Sequence, residues 1–444
     1  MTEHERTEHG GRAPRAVVIQ GGTVIDQSGE RRGDVLIESG HVTAVGDALP
    51  LPSGCTVLDG TGCMVSPGLV DLHTHLREPG REESETIETG SRAAALGGYT
   101  AVVAMPNTEP ALDSAETVRT VLELGRSATV QVAVAGAITV GRGGERLAPM
   151  AEMARLGVHL FTDDGTGVQS AALMRRALEY AGGLGVTLAQ HCEDASLAGA
   201  GAMHEGAWSS RLGIPGMPAL AEEVMVARDI ALVRETGTAI HFLHLSTAGS
   251  IDLVRKARSE GLAITAEAAP HHFSLTDACV AGYDPVYKVN PPLRSTSDLD
   301  AVKAGLADGT IDAIATDHAP HPPELKDLPF DQAPPGMLGL ETALALAITE
   351  LGLSLGRILG LMSWQPAAIA RLDPGNGGRQ GAPVAPGSEA NLCVFDPTAT
   401  WTVDSSALAS RSRNTPYAGR SLTGRVRHTV LRGEPVVIDG VAQR

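Results

Sequence analysis

Aromatic residues are scarce in this 444-residue chain, at 3%. With apolar residues at 43%, its core must be built mostly from Ala, Val, Leu and Ile. Positive charge is also short: 35 Lys and Arg stand against 52 Asp and Glu, a formal net charge of -17. That balance argues against a general nucleic-acid binder, because nothing basic would neutralise phosphates over an extended face. An anionic substrate would need positive charge supplied locally by its site. Cysteines are few; the five are widely spaced, odd in number and without a CxxC. The pattern argues against disulfides and a cysteine zinc knuckle, and fits a reducing cytosol. No apolar run is long enough to cross a bilayer. The opening MTEHERTEHGGRAPRA has no apolar segment, so residues 1–15 read as a disordered tail rather than a signal peptide.

The length suits one large α/β domain plus something smaller. Short β patterns occur near both ends: AVVIQGGTVID, DVLIES and HVTAVG early, ANLCVFDP, RHTVLRG and EPVVIDG late. They are expected to pair into one small β-sandwich, 16–66 plus 374–444, with two unrelated β caps as the alternative. Between them, over 67–373, eight apolar runs of strand length alternate with Ala-rich segments of helical period. The runs are LVDLHTHL, TAVVAMP, VQVAVAGAIT, VHLFTDD, VTLAQHC, AIHFLHLS, AITAEAAP and IDAIATDHAP. Strands apolar at nearly every position are those covered on both faces. Eight of them over roughly 250 residues have the rhythm of a (β/α)8 TIM barrel. A doubly wound open sheet is the competing arrangement, weakened because no GxGxxG follows the first strand and no P-loop is present.

Chemistry in a TIM barrel sits at the C-terminal ends of the strands, and the polar residues fall there. The runs end with His73, His75 and Arg77; Asn107; Asp163 and Asp164; His191; His244; His271 and His272; Asp317, His318 and His321. Side chains alternate along a strand, so His73, His75 and Arg77 are expected to face one way, inward at the mouth. Two imidazoles of one strand can hold one metal ion, with histidines and carboxylates of other strands completing the site. A single histidine is more often an ordinary surface or core residue. His159, placed in mid-strand, and His204, placed in a loop, are read so, and His4, His9, His41 and His428 as solvent-facing. In DDG one aspartate would be a ligand and the other would support the turn, with alternation leaving open which. Asp317 follows an apolar strand with no immediate helix, where a carboxylate can ligate a metal and carry a proton.

Together VSPGLVDLHTHLREPG, AMPNT, FTDDG, AQHCED, HLST, APHH, VNPPLR, IATDHAPH and SRNTPYAGRSLTGRV resemble the cyclic amidohydrolases, and more narrowly the class I dihydroorotases of pyrimidine biosynthesis. The likeness runs from about residue 16 to the end. HxH is shared across the superfamily, whereas LREPG and TDDG narrow it. Hydantoinases, dihydropyrimidinases and allantoinases carry a carboxylated lysine on the fourth strand, and VHLFTDDG has none.

The resemblance implies a zinc enzyme, with one or two ions per subunit, that reversibly closes N-carbamoyl-L-aspartate to L-dihydroorotate with loss of water. It implies that His73, His75 and Asp317 hold one ion, that His191 and His244 hold a second, and that Asp164 bridges them. Asp317 would be the catalytic base. Arg77 and Asn107 would bind the substrate carboxylate, with Asn290 and His321 also touching substrate. The loop 322–336 would cover the mouth, ending in Pro335 and Gly336 where family members often have an aromatic before the glycine. A planar guanidinium binds a carboxylate bidentately, and a substrate lacking that group would leave Arg77 buried and unpaired. The alternative for Arg77 is a surface ion pair with Glu78. Competing functions are a hydantoinase, dihydropyrimidinase or allantoinase, and an inactive partner of aspartate transcarbamoylase. The second is disfavoured because every expected ligand is present. A homodimer and a transcarbamoylase partner are left open by the sequence.

Overall fold

The computed structural model describes residues 16–373, 375 and 379–444. The expected tail, its His4 and His9, and the expected boundary at 374 lie outside the described residues. Eight parallel barrel strands follow in chain order: β1 (Leu69–Thr74), β2 (Tyr99–Ala104), β3 (Gln131–Val134), β4 (Leu160–Thr162), β5 (Thr187–Gln190), β6 (Ile240–Phe242), β7 (Ile264–Ala268) and β8 (Ala313–Ile314). β1, β2 and β3 pair in one sheet, and β4 to β8 pair in a second. Two parallel bridges join the sheets into a ring, Gly136 to Phe161 and Thr74 to His318. The second closure is reinforced by Asp71, whose Oδ1 accepts from the Thr316 backbone N–H at 2.8 Å. A TIM barrel results, as the apolar runs predict.

The helices between strands begin where short polar residues can satisfy free N–H groups. Thr86 caps Ile87–Leu96 and Ser114 caps Ala115–Leu124, each in a reciprocal capping box. Small and aliphatic residues fill the barrel interior: Leu72, Val103, Ala135, Leu160, Ala189, Leu243, Ala313 and Ala315 form one buried cluster. That interior needs no aromatic ring, which is how a chain so poor in them closes its core. Among the described residues, no helix is long and apolar enough to cross a membrane.

The terminal segments form a β-sandwich. One sheet holds Val17–Gln20, Asp34–Glu38, His41–Gly46 and Thr56–Asp59. In the other, N-terminal Met64–Pro67 pairs antiparallel with C-terminal Leu392–Thr402, which pairs with Ser421–Leu431. Val17, Ile19, Ile37, Leu58, Val65, Leu392, Val394 and Val430 share a core between the two sheets. His428, read as solvent-facing, is 1% exposed, and its Nε2 faces the Asp59 carbonyl at 3.1 Å. It lies on the strand that buries against the barrel side, so its environment is set by tertiary packing.

Candidate metal centre and active site

His73 reaches the barrel mouth by a register slip, not by simple alternation. Val70 and Leu72 pack in the barrel interior, so strict alternation would send His73 outward. Between Asp71 and Thr74, β1 advances three residues while β2 advances two, from Val102 to Ala104. Such a bulge re-aims the side chain beside it. Arg77 also departs from the strand argument. β1 has ended at Thr74, and Arg77 has φ 61, so a turn delivers its side chain. Similar left-handed residues occur at His244 (φ 28) and Asp317 (φ 48). A non-glycine residue there costs of order 1–3 kcal/mol and is held by its surroundings.

The strand ends bring six side chains together. His73 Nε2 lies 3.4 Å from Asp164 Oδ1 and 3.6 Å from Asp317 Oδ1. His75 Nε2 lies 3.1 Å from Asp317 Oδ1 and 3.6 Å from Asp164 Oδ2. His191 Nδ1 and His244 Nε2 are each 3.5 Å from Asp164 Oδ1 and 3.0 Å from one another. Two groups have ligand atoms all within 4.8 Å: His73, Asp164 and His244, and His73, His75 and Asp317. His191 adjoins the first group through Asp164 and His244. Asp163 takes the turn role, accepting from the backbone N–H groups of Ile138 and Thr139 at 2.9 and 3.0 Å.

These residues fit a divalent metal ion. His73 Nε2 is buried and makes no hydrogen bond; its 3.4 Å approach to Asp164 is an ion-pair distance without the alignment of a bond. The His73 Nδ1–H is taken by Glu267 Oε1 at 2.9 Å and the His75 Nδ1–H by Asn107 Oδ1 at 2.9 Å. Both rings therefore turn an Nε2 lone pair toward the carboxylates, the orientation ligating histidines adopt. Imidazole and carboxylate donors suit zinc and its neighbours in the first transition row.

Without an ion, the histidines neutralise the carboxylates. Burial opposes ionisation of Asp164, yet the charge of His73 and the close approach of His191, His244 and His73 hold it well below the usual range. Burial likewise opposes the Asp317 anion, and the His75 hydrogen bond with the charges of His73, His75 and His244 outweighs it. Burial disfavours the His191 cation, but Asp164 and Glu193 push its pKa up to about 9.

Arg77 is buried, and among the described residues no carboxylate lies within ion-pair reach of it. Its Nε donates to the Pro320 carbonyl at 3.2 Å. Nη2 sits 3.4 Å from His321 Nε2, but that nitrogen is 2.9 Å from the Pro335 carbonyl and must carry a proton to bond it. Two donors meeting leave the guanidinium fork open. Burial, with Arg81, lowers Arg77 to about 10, so it stays charged at neutral pH. Glu78 is occupied elsewhere, accepting from the Ile87 backbone N–H at 2.8 Å.

Asn107 spends Oδ1 on His75, which leaves its amide N–H groups for a ligand. Asn290 donates to Glu193 Oε2 at 2.8 Å, and its Oδ1 is buried without a partner. His321 is fixed by its backbone N–H to Asn414 Oδ1 at 3.1 Å, and burial beside Arg77 keeps its ring neutral. The polar backbone atoms of Pro335 and Gly336 are already engaged. Gly336 N–H donates to the Lys288 carbonyl at 2.9 Å, and Asn414 Nδ2 donates to the Gly336 carbonyl at 3.1 Å. They frame His321, and at φ 138 an added Cβ on Gly336 would meet His321 Nε2 at 2.8 Å.

Other strand-end residues play supporting parts. His272 Nε2 donates to the Pro291 carbonyl at 3.0 Å. His271 Nε2 lies 4.0 Å from Asp317 Oδ2 with no hydrogen bond. His318 faces away, toward Glu85 at 3.3 Å. His159 precedes β4, and His204 lies in the short strand Met203–His204 beside Arg294 at 3.3 Å. Glu267, His241 and Lys326 carry no strand-end motif that marks them in the sequence. Glu267 was visible as a lone acid inside an apolar run, a pattern that demands a buried partner.

A family model described as dihydro-orotase-like matches residues 62–250. The chain is 48% identical over 432 residues to the dihydroorotase of Pelotomaculum thermopropionicum, covering 96% of this chain and 99% of that protein. It is 49% identical over 416 residues to the dihydroorotase of Mycobacterium tuberculosis, covering 92% and 96%. Among solved structures, the L-hydantoinase (dihydropyrimidinase) of Arthrobacter aurescens superposes with a TM-score of 0.86 at 25% identity, over 96% of this chain and 97% of that one.

Proposed function

The chain belongs to the dihydroorotases of the cyclic amidohydrolase superfamily, and from that membership we infer that it catalyses the reversible closure of N-carbamoyl-L-aspartate to L-dihydroorotate, with loss of water, in de novo pyrimidine biosynthesis. The observation that carries the reading is the open guanidinium of Arg77 beside the His73, His75, Asp164, His191, His244 and Asp317 cluster. We assign the catalytic barrel to 67–373 and the sandwich to 16–66 plus 374–444, supported by the pairing of Met64–Pro67 with Leu392–Thr402. The metal is assigned as zinc, from the nitrogen and oxygen donor set, held by His73, His75 and Asp317 and by His191 and His244, with Asp164 between. A cytoplasmic location is supported by five free thiols.

A zinc ion so held supplies a Lewis acid for the amide carbonyl and lowers the pKa of bound water from about 15.7 to about 7. The chain's own groups do the rest. Arg77 and the Asn107 amide bind the ring carboxylate and fix the ring over the cluster. In hydrolysis, Asp317 enters ionised and accepts the proton of the attacking water. As the carbon–nitrogen bond breaks, it gives that proton to the leaving ring nitrogen. The neutral His321 and the Asn290 amide border the ring without adding charge, and the loop 322–336 limits water. In the closing direction the same proton path runs backwards.

Side-by-side assays with dihydroorotate, dihydrouracil, hydantoin and allantoin test the assignment. Turnover of dihydroorotate alone is expected; turnover of an uncharged ring without dihydroorotate would move the chain to the hydantoinase type. Asp317→Asn is expected to lose turnover in both directions, and a variant still closing carbamoyl aspartate would remove the proposed base.

A further inference from the structure

Glu267, in β7, is fully buried. Its two oxygens divide between two histidines. Oε1 accepts from His73 Nδ1 at 2.9 Å, and Oε2 accepts from His241 Nε2 at 3.0 Å. The other His241 nitrogen is held by Thr265 Oγ1 at 2.8 Å. The backbone N–H of His244 approaches Oε1 at 3.4 Å. His241 is buried and, among the described residues, faces no other carboxylate oxygen, so it serves to lock the rotation of the Glu267 side chain. His75 has a weaker arrangement: its Nδ1–H goes to the neutral carbonyl of Asn107.

We propose that Glu267 is a positioning residue that selects the tautomer and ring plane of His73, ties β1 to the His244 turn, and so sets the affinity of the centre for a divalent metal ion. The inference rests on the metal-centre reading above. The physical argument has two parts. A carboxylate bonded to Nδ1–H fixes the single proton of the neutral ring on Nδ1 and makes Nε2 a stronger donor to a metal. A carboxylate buried at zero exposure also needs an opposing charge, which a dication behind His73 provides. Asn107 offers His75 the first kind of help in weaker form, and the second not at all. The histidine held by Glu267 is therefore the anchor of the pair.

Glu267→Gln preserves shape and removes the charge. Metal affinity is read without substrate, by competition of zinc and cobalt(II) with a chromophoric chelator, and by the visible spectrum of the cobalt form. The expected result is a dissociation constant raised by about 10- to 100-fold, an altered cobalt spectrum, and activity that returns as metal is added. Glu267→Asp, which keeps the charge but shortens the reach to His73, is expected to weaken metal binding in the same direction. His241→Gln, which leaves the Glu267 bond to His73 in place, should weaken it less than either. Wild-type affinity and an unchanged cobalt spectrum in Glu267→Gln or Glu267→Asp would overturn the proposal. Failure of the dihydroorotase reading would show separately, in the substrate panel of the wild-type enzyme.

Discussion

Arg77 illustrates how a single side chain can decide a substrate class. Removing it should cost little with uncharged rings and much with dihydroorotate, because a charged hydrogen-bonded pair in a water-poor site is worth several kcal/mol. Arg77→Met is expected to lower kcat/KM for dihydroorotate by about 10²- to 10³-fold, roughly 3–4 kcal/mol, read by steady-state kinetics. The histidines carry a different signature. In the metal-free protein His191 holds its proton up to about pH 9 and His73 is also raised well above its ordinary value. Burial opposes both cations; Asp164 outweighs it, aided by Glu193 at His191 and by Glu267 at His73. A metal ion must displace those protons, so apparent affinity should climb with pH until about 9. The folding of the metal-free protein should move the other way. A histidine pKa raised on folding stabilises below about 6.5 and loses that contribution as pH rises through the folded value. Chelator competition and metal-free melting curves across about pH 6 to 10 check both signs.

Two elements shape the mouth. The β1 bulge is one: it converts an outward position into His73. The other is the loop 322–336, which is fastened by an unusual staple. Lys326 is 9% exposed and its Nζ donates to three carbonyls, Pro285 at 3.0 Å, Lys288 at 3.3 Å and Pro334 at 2.9 Å. Lys288 returns the contact, donating to the Asp331 carbonyl at 3.0 Å. Lys326→Met keeps the apolar stem and removes all three bonds; the Lys288 and Pro285 carbonyls keep the Gly336 and Lys288 backbone N–H groups, and the Pro334 carbonyl loses its donor, at about 1–3 kcal/mol if left dry. Faster hydrogen exchange across 322–336 and a KM for dihydroorotate raised about 3- to 10-fold are expected. Unchanged exchange would mean that the loop is held by its backbone contacts alone. Burial and the neighbouring Lys288 lower Lys326 to about 7. The unfolded chain then binds more protons above that pH, and the folded loop gains stability as pH rises from about 7 toward the ordinary lysine value.

At the scale of the whole molecule, sandwich and barrel share buried contacts. Ser421–Leu431 packs on Ala343–Glu350, and Thr429 Oγ1 donates to the Ala95 carbonyl at 2.7 Å inside the barrel's helical layer. One cooperative thermal transition is expected, shifted down by several degrees on chelation, since a ligand at a thousandfold excess over Kd contributes about 4 kcal/mol. Two separate transitions in calorimetry would show that the parts fold independently.

The sequence by itself determined the alternation of eight covered strands with helices, because burial on both faces demands continuous apolar runs and their period is local. It also placed histidines and aspartates at the strand ends, and its motifs named the family. Tertiary structure decided the rest. Alternation alone predicts an inward His73 from its sequence, and the register of β1 against β2 turns it inward instead. His428 reads as solvent-facing in sequence, and the joining of the sandwich buries it. Spacing does not choose between Asp163 and Asp164, since that depends on where Ile138 and Thr139 present their N–H groups. Glu267 and His241 meet His73 only when β6 and β7 lie side by side and the ring closes. Such partners are separated by 194 residues in the case of Glu267 and His73, and no local pattern carries a contact of that range.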